Sequence, residues 1–170
     1  MILPSRLRWL SLTLLVVLLD RATKAWIESR PASFFPHIVF PNFLTILSSR
    51  NPGIAFSFLA NSSIASRVLL IVFSLAIISF IAWLLVTARD SSTFNATGLA
   101  LLLGGATGNV TDRILHGAVT DFLEVSLRFI PLHIFNPWPT FNVADAAVTI
   151  GAILIIFDVL FRQPKRAKKG

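Results

Sequence analysis

The sequence predicts a mainly α-helical membrane protein, with four transmembrane helices and a small β-rich cradle and outer loops on the periplasmic, extracytoplasmic side. Three observations predict it. The 170 residues are 55% hydrophobic and 14% charged, with a mean hydropathy of +0.77. A soluble domain carries about 25% charged residues and uses them to cover its surface. Four apolar stretches each approach the ~20 residues that cross a ~30 Å hydrocarbon core. The basic residues gather at places that fall on one side of a membrane if all four stretches cross it. The length suits a single integral membrane domain over 1–170.

The first helix, about 8–27, follows Arg6 and Arg8 and is apolar from Trp9 to Leu19. Such a start also resembles a cleavable signal peptide. Asp20, Arg21, Lys24 and Trp26 follow where small cleavage-site residues belong, so an uncleaved helix with a polar outer end is expected. An outer segment, about 28–63, is punctuated by Phe34, Phe35, Phe40, Phe43, Phe56 and Phe58. Within it, Phe43-Leu-Thr-Ile-Leu47 and Ile54-Ala-Phe-Ser-Phe58 are β-prone and flank a turn at Asn51-Pro-Gly53. The second helix, about 64–86, is almost purely apolar, and the third, about 94–115, is rich in Leu, Gly and Ala. A second outer segment, about 116–142, is apolar and in places β-branched between Phe122 and Phe135. The fourth helix, about 143–161, leads into a basic tail, 162–170. Backbone in lipid must satisfy its own hydrogen bonds, so helices are the default for the spans. Arg6, Arg8, Arg89 in the link between helices two and three, and the tail then mark the cytoplasmic side, with both termini inside.

Composition narrows the chemistry. The net charge is +7, with Arg162, Lys165, Arg166, Lys168 and Lys169 crowded behind an apolar helix. That position reads as an anchor against anionic lipid, not as a nucleic-acid surface. The absence of cysteine excludes disulfides and thiol nucleophiles, and His37, His116 and His133 fit no ligand spacing. No metal or cofactor is expected.

The acidic residues carry the signal. Eight exist, and Asp112, Asp121 and Asp145 lie at or near the outer ends of helices three and four. A charge deep in a bilayer costs about 2.5–3.5 kcal/mol on insertion scales, so such residues face a bundle interior and serve a function. In Gly104-Gly-Ala-Thr-Gly-Asn-Val-Thr-Asp-Arg113, the glycines four apart suit close helix packing. Asn109 and Asp112 share a helix face, and an ion pair of Asp112 with Arg113 at the helix end would explain those two without any function. Asp121, in Gly117-Ala-Val-Thr-Asp-Phe122, would alone pass for a turn aspartate. In Phe141-Asn-Val-Ala-Asp145, Asn142 suits a helix cap and Asp145 the first turn. If Asp121 and Asp145 meet, the chemistry changes. Two carboxylates in one site share a proton, and the charged member can activate a water while the neutral one hydrogen-bonds to a carbonyl.

On these motifs, with Asp20-Arg-Ala-Thr-Lys24 and Asn51-Pro-Gly-Ile-Ala-Phe-Ser-Phe58, the chain resembles the lipoprotein signal peptidases over nearly its whole length. The resemblance implies an aspartyl endopeptidase that removes the signal peptide from prolipoproteins, cutting N-terminal to a diacylglyceryl-modified cysteine. It implies Asp121 and Asp145 as the catalytic pair. Asn51, Gly53, Asn109, Arg113 and Asn142 would line the site, and Asp20, Lys24 and Asp112 would support it. Membrane lipid and globomycin-type cyclic peptide inhibitors are implied partners. The chain departs from the family at Arg21, where glutamine is common, and at Ile54, where a small residue is common. Thr111 and Thr120 stand where apolar residues are usual. The aromatic outer loop, with Phe56 and Phe58, would cover the site.

Three other readings compete. A small transporter or proton relay would use the intramembrane acids, although they cluster at one face and helix two has none. A non-catalytic scaffold would use them as caps and ion pairs. A Ser/Lys protease would use Lys24, which an ion pair with Asp20 four residues away explains more simply.

Overall fold

The computed structural model describes residues 3–53, 64–87, 92–127 and 136–161. Phe56 and Phe58, the rest of Ile54-Ala-Phe-Ser-Phe58, Arg89, His133 and the basic tail lie outside the described residues.

Helix α1 covers Leu3–Glu28, α2 Ile64–Thr87, α3 Thr93–His116 and α4 Val143–Phe161. α1 begins earlier than the apolar run, because Pro4 sits in its first turn, where a missing N–H costs nothing. Ser92 caps α3, its hydroxyl accepting the Asn95 N–H at 3.0 Å. Gly117 ends α3 at φ 74°, a left-handed position that glycine adopts without strain, and its N–H returns to the Arg113 carbonyl.

α3 is the central element and packs against α4, α1 and α2. Its glycines make the close approach. A methyl group on Gly104 would lie 2.7 Å from Val16 Cβ of α1, and one on Gly105 would lie 2.4 Å from the Ala144 carbonyl oxygen of α4.

The segments between α1 and α2 and between α3 and α4 contribute one antiparallel sheet in the order β1-β2-β3: β1 His37–Phe40, β2 Leu44–Asn51 and β3 Val119–Val125. Asn42, at φ 60°, stands in the turn between the first two strands. The β-prone run at Phe43 becomes part of β2, but its neighbours are β1 and β3. Ser49 pairs with Asp121, Arg50 with Thr120 and Asn51 with Val119. An isolated bridge from Leu123 to Phe141 ties β3 to the start of α4.

The distribution of polarity is inverted relative to a water-soluble protein. Asp20, Lys24, Asp112 and Asn142 have no exposed surface at all, whereas Leu14, Leu18, Val72, Phe73, Ile153 and Phe157 are exposed. Among the described residues, α2 and α4 are long and apolar enough to cross a membrane. α1 and α3 carry charged groups, and these point at one another across the α1–α3 contact.

Candidate active site

The site lies where the C-terminal ends of α1 and α3 and the N-terminal end of α4 meet β2 and β3. It is built outward from Asn142. The Asn142 side-chain oxygen accepts the Asp145 N–H at 2.9 Å, and the Asn142 N–H donates to Asp145 Oδ2 at 3.2 Å. This is a reciprocal cap of the α4 N-terminus with aspartate in the usual glutamate position. Its Nδ2 also donates to Asp121 Oδ1 at 2.7 Å and lies 3.3 Å from the Thr120 carbonyl oxygen and 3.2 Å from Asn109 Oδ1. Asn142 therefore donates to both candidate carboxylates, to Asp121 from its side-chain amide and to Asp145 from its backbone N–H.

Asp121 is held from the other side by Asn51, whose Nδ2 donates to Oδ2 at 3.0 Å. The two are diagonal neighbours on one sheet face, since Asn51 pairs with Val119, two residues before Asp121. Asn51 Oδ1 accepts the Gly53 N–H at 2.9 Å, closing a turn at a glycine of φ 97°. Asp145 accepts from Asn109 Nδ2 at 2.7 Å. Burial pushes the Asp121 carboxyl above the usual carboxylate range. The Asn51 hydrogen bond opposes that rise, the nearby Asp145 carboxylate adds to it, and Asn142 and Lys24 oppose it.

Beneath this pair lies an ionic layer. Lys24 Nζ donates to Asp20 Oδ2 at 2.8 Å and to Asn109 Oδ1 at 3.1 Å, and pairs with Asp112 Oδ2 at 3.0 Å. Asp20 Oδ1 accepts the Ala144 N–H at 3.1 Å, joining α1 to the first turn of α4. Asp112 also pairs with Arg21 through Oδ1 and accepts the Thr120 N–H at 3.1 Å. Every ammonium proton finds an acceptor, which is what permits a charge with no exposure.

The expected local ion pair of Asp112 with Arg113 is replaced by pairs to α1. Adjacent helical residues point about 100° apart, so Asp112 turns to Lys24 and Arg21 while Arg113 is turned elsewhere. The carboxylates that act on the Arg113 guanidinium are, in order, Asp145, Asp121 and Asp112. Its Nε is buried without an acceptor among the described residues, and Nη1 lies 3.5 Å from the Asn109 carbonyl. The Ser/Lys reading fails on the same geometry, because the partners of Lys24 are Asp20, Asp112 and Asn109.

All ten residues singled out from the sequence belong to this one neighbourhood. Glu28 joins them unannounced: Thr120 Oγ1 donates to Glu28 Oε1 at 2.9 Å, and Arg50 Nη2 lies 3.1 Å from the same oxygen. No motif marks Glu28, and only the unusual threonine at 120 hinted at a polar partner. An apolar groove of about 380 Å³ opens beside Asp145, lined by Trp138, Phe141, Ala146, Thr149 and Ile150.

The family model described as signal peptidase (SPase) II matches residues 12–161. The lipoprotein signal peptidase of Solibacter usitatus is 40% identical over 163 residues, covering 94% of each chain. That of Polynucleobacter necessarius is 41% identical over 156 residues, covering 92% of this chain and 91% of its own. That of Pseudomonas paraeruginosa is 37% identical over 162 residues, covering 94% and 91%. A solved structure described as a bacterial membrane enzyme, determined by the in meso method at 1.9 Å resolution, superposes with a TM-score of 0.77 at 29% identity. It covers 92% of this chain and 94% of that one. The inverted polarity and the buried acid and amide network thus sit on a sequence and a fold shared with membrane enzymes, and the chain belongs to the signal peptidase II family.

Proposed function

We propose that this chain is a membrane aspartyl endopeptidase that removes the signal peptide of diacylglyceryl-modified prolipoproteins, with Asp121 and Asp145 as its catalytic pair. The observation that carries the assignment of the pair is Asn142, whose side chain and backbone hydrogen-bond to both carboxylates. Like-charged neighbours in a buried site share a proton, and burial favours keeping it on Asp121. Asp145 then accepts a proton from a water held between the two as that water attacks the scissile carbonyl. Asp121 donates its hydrogen bond to the carbonyl oxygen and becomes the proton source as the tetrahedral intermediate forms. Collapse of that intermediate breaks the C–N bond, and a carboxyl proton passes to the leaving amine of the lipidated cysteine. Asn51, Gly53, Asn109 and Asn142 hold the pair in place, and the unsatisfied Arg113 Nε offers a donor to substrate backbone carbonyls. Asp20, Lys24 and Asp112 lock the helices that carry them.

The groove beside Asp145 runs along α4 past Ala146 and Thr149 to Ile150, toward the lipid-facing surface, and suits an apolar chain of the substrate or of a globomycin-type cyclic peptide. In this reading all four helices span the inner membrane of a bacterium. Both termini are cytoplasmic, the site lies near the outer face, and the whole chain is one peptidase domain. The positive-inside distribution supports that orientation. The relatives named above are all lipoprotein signal peptidases, which sets the transporter and scaffold readings aside.

The test is cleavage of a diacylglyceryl-modified prolipoprotein by the purified protein in detergent. Asp121→Asn and Asp145→Asn should each lower kcat about 10²–10⁴-fold, the usual share of a positioned acid or base. Wild-type turnover in either variant removes that residue from the chemistry, and equal cutting of an unlipidated precursor removes the diacylglyceryl requirement.

A further inference from the structure

Thr120 stands immediately before Asp121 and is 1% exposed. All three of its polar groups are bonded. Its N–H donates to Asp112 Oδ2 at 3.1 Å, its carbonyl accepts from Asn142 Nδ2 at 3.3 Å, and its hydroxyl donates to Glu28 Oε1 at 2.9 Å. The backbone bonds exist for any residue at 120. The hydroxyl bond exists only because residue 120 is a threonine.

Glu28 is the last residue of α1, and its Oε1 also pairs with Arg50 Nη2 at 3.1 Å. Arg50 faces Thr120 in the β2–β3 ladder and precedes Asn51. One carboxylate oxygen therefore grips the neighbour of each member of the Asn51–Asp121 hydrogen bond. Successive side chains on a strand point to opposite faces. Anchoring Thr120 on one face fixes the rotation of β3 about its own axis, and with it the direction in which Asp121 projects on the other. Threonine suits the task, since its branched Cβ leaves few χ1 states.

We propose that Glu28, Thr120 and Arg50 form a brace between the end of α1 and the sheet that positions the Asp121 carboxyl against Asp145, with Thr120 and Glu28 as positioning residues for the reaction. The inference rests on Asp121 being catalytic, as assigned above. Neither residue touches the carboxyl pair, so the brace acts on the geometry of attack and not on the capture of substrate.

Steady-state cleavage of a diacylglyceryl-modified prolipoprotein by the full chain in detergent tests it, with Asp121→Asn measured alongside. Thr120→Val keeps the shape and removes the hydroxyl. It should lower kcat about 10- to 100-fold, the scale of a misplacement approaching 1 Å, with KM little changed. Thr120→Ser, which restores the donor, should recover most of that loss. Glu28→Gln, which keeps an oxygen acceptor, should stay closer to wild type than Glu28→Leu. If Thr120→Val loses its melting transition, the Glu28 pair decides the matter by the same kcat criterion. Wild-type kcat in Thr120→Val, equal impairment in its valine and serine forms, or a change confined to KM overturns the brace. Undiminished cleavage by Asp121→Asn overturns the catalytic reading and the brace together. Loss in Asp121→Asn beside full activity in Thr120→Val and Glu28→Leu overturns the brace alone.

Discussion

Asn142 carries two jobs that normally belong to different residues, closing the first turn of α4 and donating to Asp121. The first was legible in the sequence, because a cap and its partner three residues on obey helix geometry alone. The second was not, since it depends on where β3 passes over the helix end. The pairing of Asn51 with Asp121 is similar: the two are 70 positions apart and meet only through the register of β2 on β3. Their placement in one site came from the family resemblance. A prediction follows from that bond. The Asn51 amide favours the charged form of Asp121 and partly offsets the upward push of burial. Removing it should raise the carboxyl further, so the pair should hold its shared proton to higher pH. Lys24 and Arg113, the cations acting on the pair, are unchanged by the substitution. In Asn51→Ala the alkaline limb of the kcat profile should therefore move up. An alkaline limb that stays put or moves down would show that Asn51 does not tune the dyad.

The same division between local and long-range information runs through the elements. α2 and α4 announce themselves by high mean hydropathy, with charge confined to Arg67 in the first turn of α2 and to Asp145 and Asp158 near the two ends of α4. α1 and α3 are interrupted by charge, and only the complementarity of their acids and bases explains why both remain helical in apolar surroundings. β1 was not foreseen, because all four of its residues are exposed and it lacks the alternation that marks a half-buried strand. The glycines of α3 were read as a packing motif, and the structure gives that motif a polar cargo. A methyl group on Gly108 would meet Asp20 Oδ2 at 2.5 Å and Asp20 Cγ at 3.0 Å. Asp20 is fully buried and bonded to Lys24 and to the Ala144 N–H, so it has little room to yield. Gly108→Ala should destabilise the protein by about 1–3 kcal/mol through overpacking, and should lower activity by separating α1 from α3. Thermal unfolding in detergent with a parallel cleavage assay checks both. An alanine variant with unaltered melting and turnover would mean that the α1–α3 contact is looser than the interatomic distances indicate.

At the scale of the whole molecule, the inside-out polarity and the distribution of basic residues make one argument about orientation. Apart from Asp158, which meets Ser92 at the far end of α4, the buried acids and amides gather at one end, around the last turns of α1 and α3, the first turn of α4 and the sheet. Arg8, before the apolar part of α1, sits at the opposite end of that helix, and in the sequence the basic stretch 162–170 follows α4, whereas Arg30 and Arg67 lie on the sheet side. In the proposed orientation, with Lys and Arg retained on the cytoplasmic side, the carboxyl pair would face outward, near the outer interface. The chain contains no cysteine, so single cysteines report position without background. Ser33, exposed in the short helical turn before β1, stands on the sheet side, and Lys168 belongs to the tail. In intact spheroplasts, a membrane-impermeant thiol reagent should label Ser33→Cys and spare Lys168→Cys, and lysis should expose the second to labelling. Equal labelling of both before lysis, or the reverse order, would put the tail and the sheet on the wrong sides. An active site on the cytoplasmic face could not then meet a precursor whose lipidated cysteine lies at the outer surface.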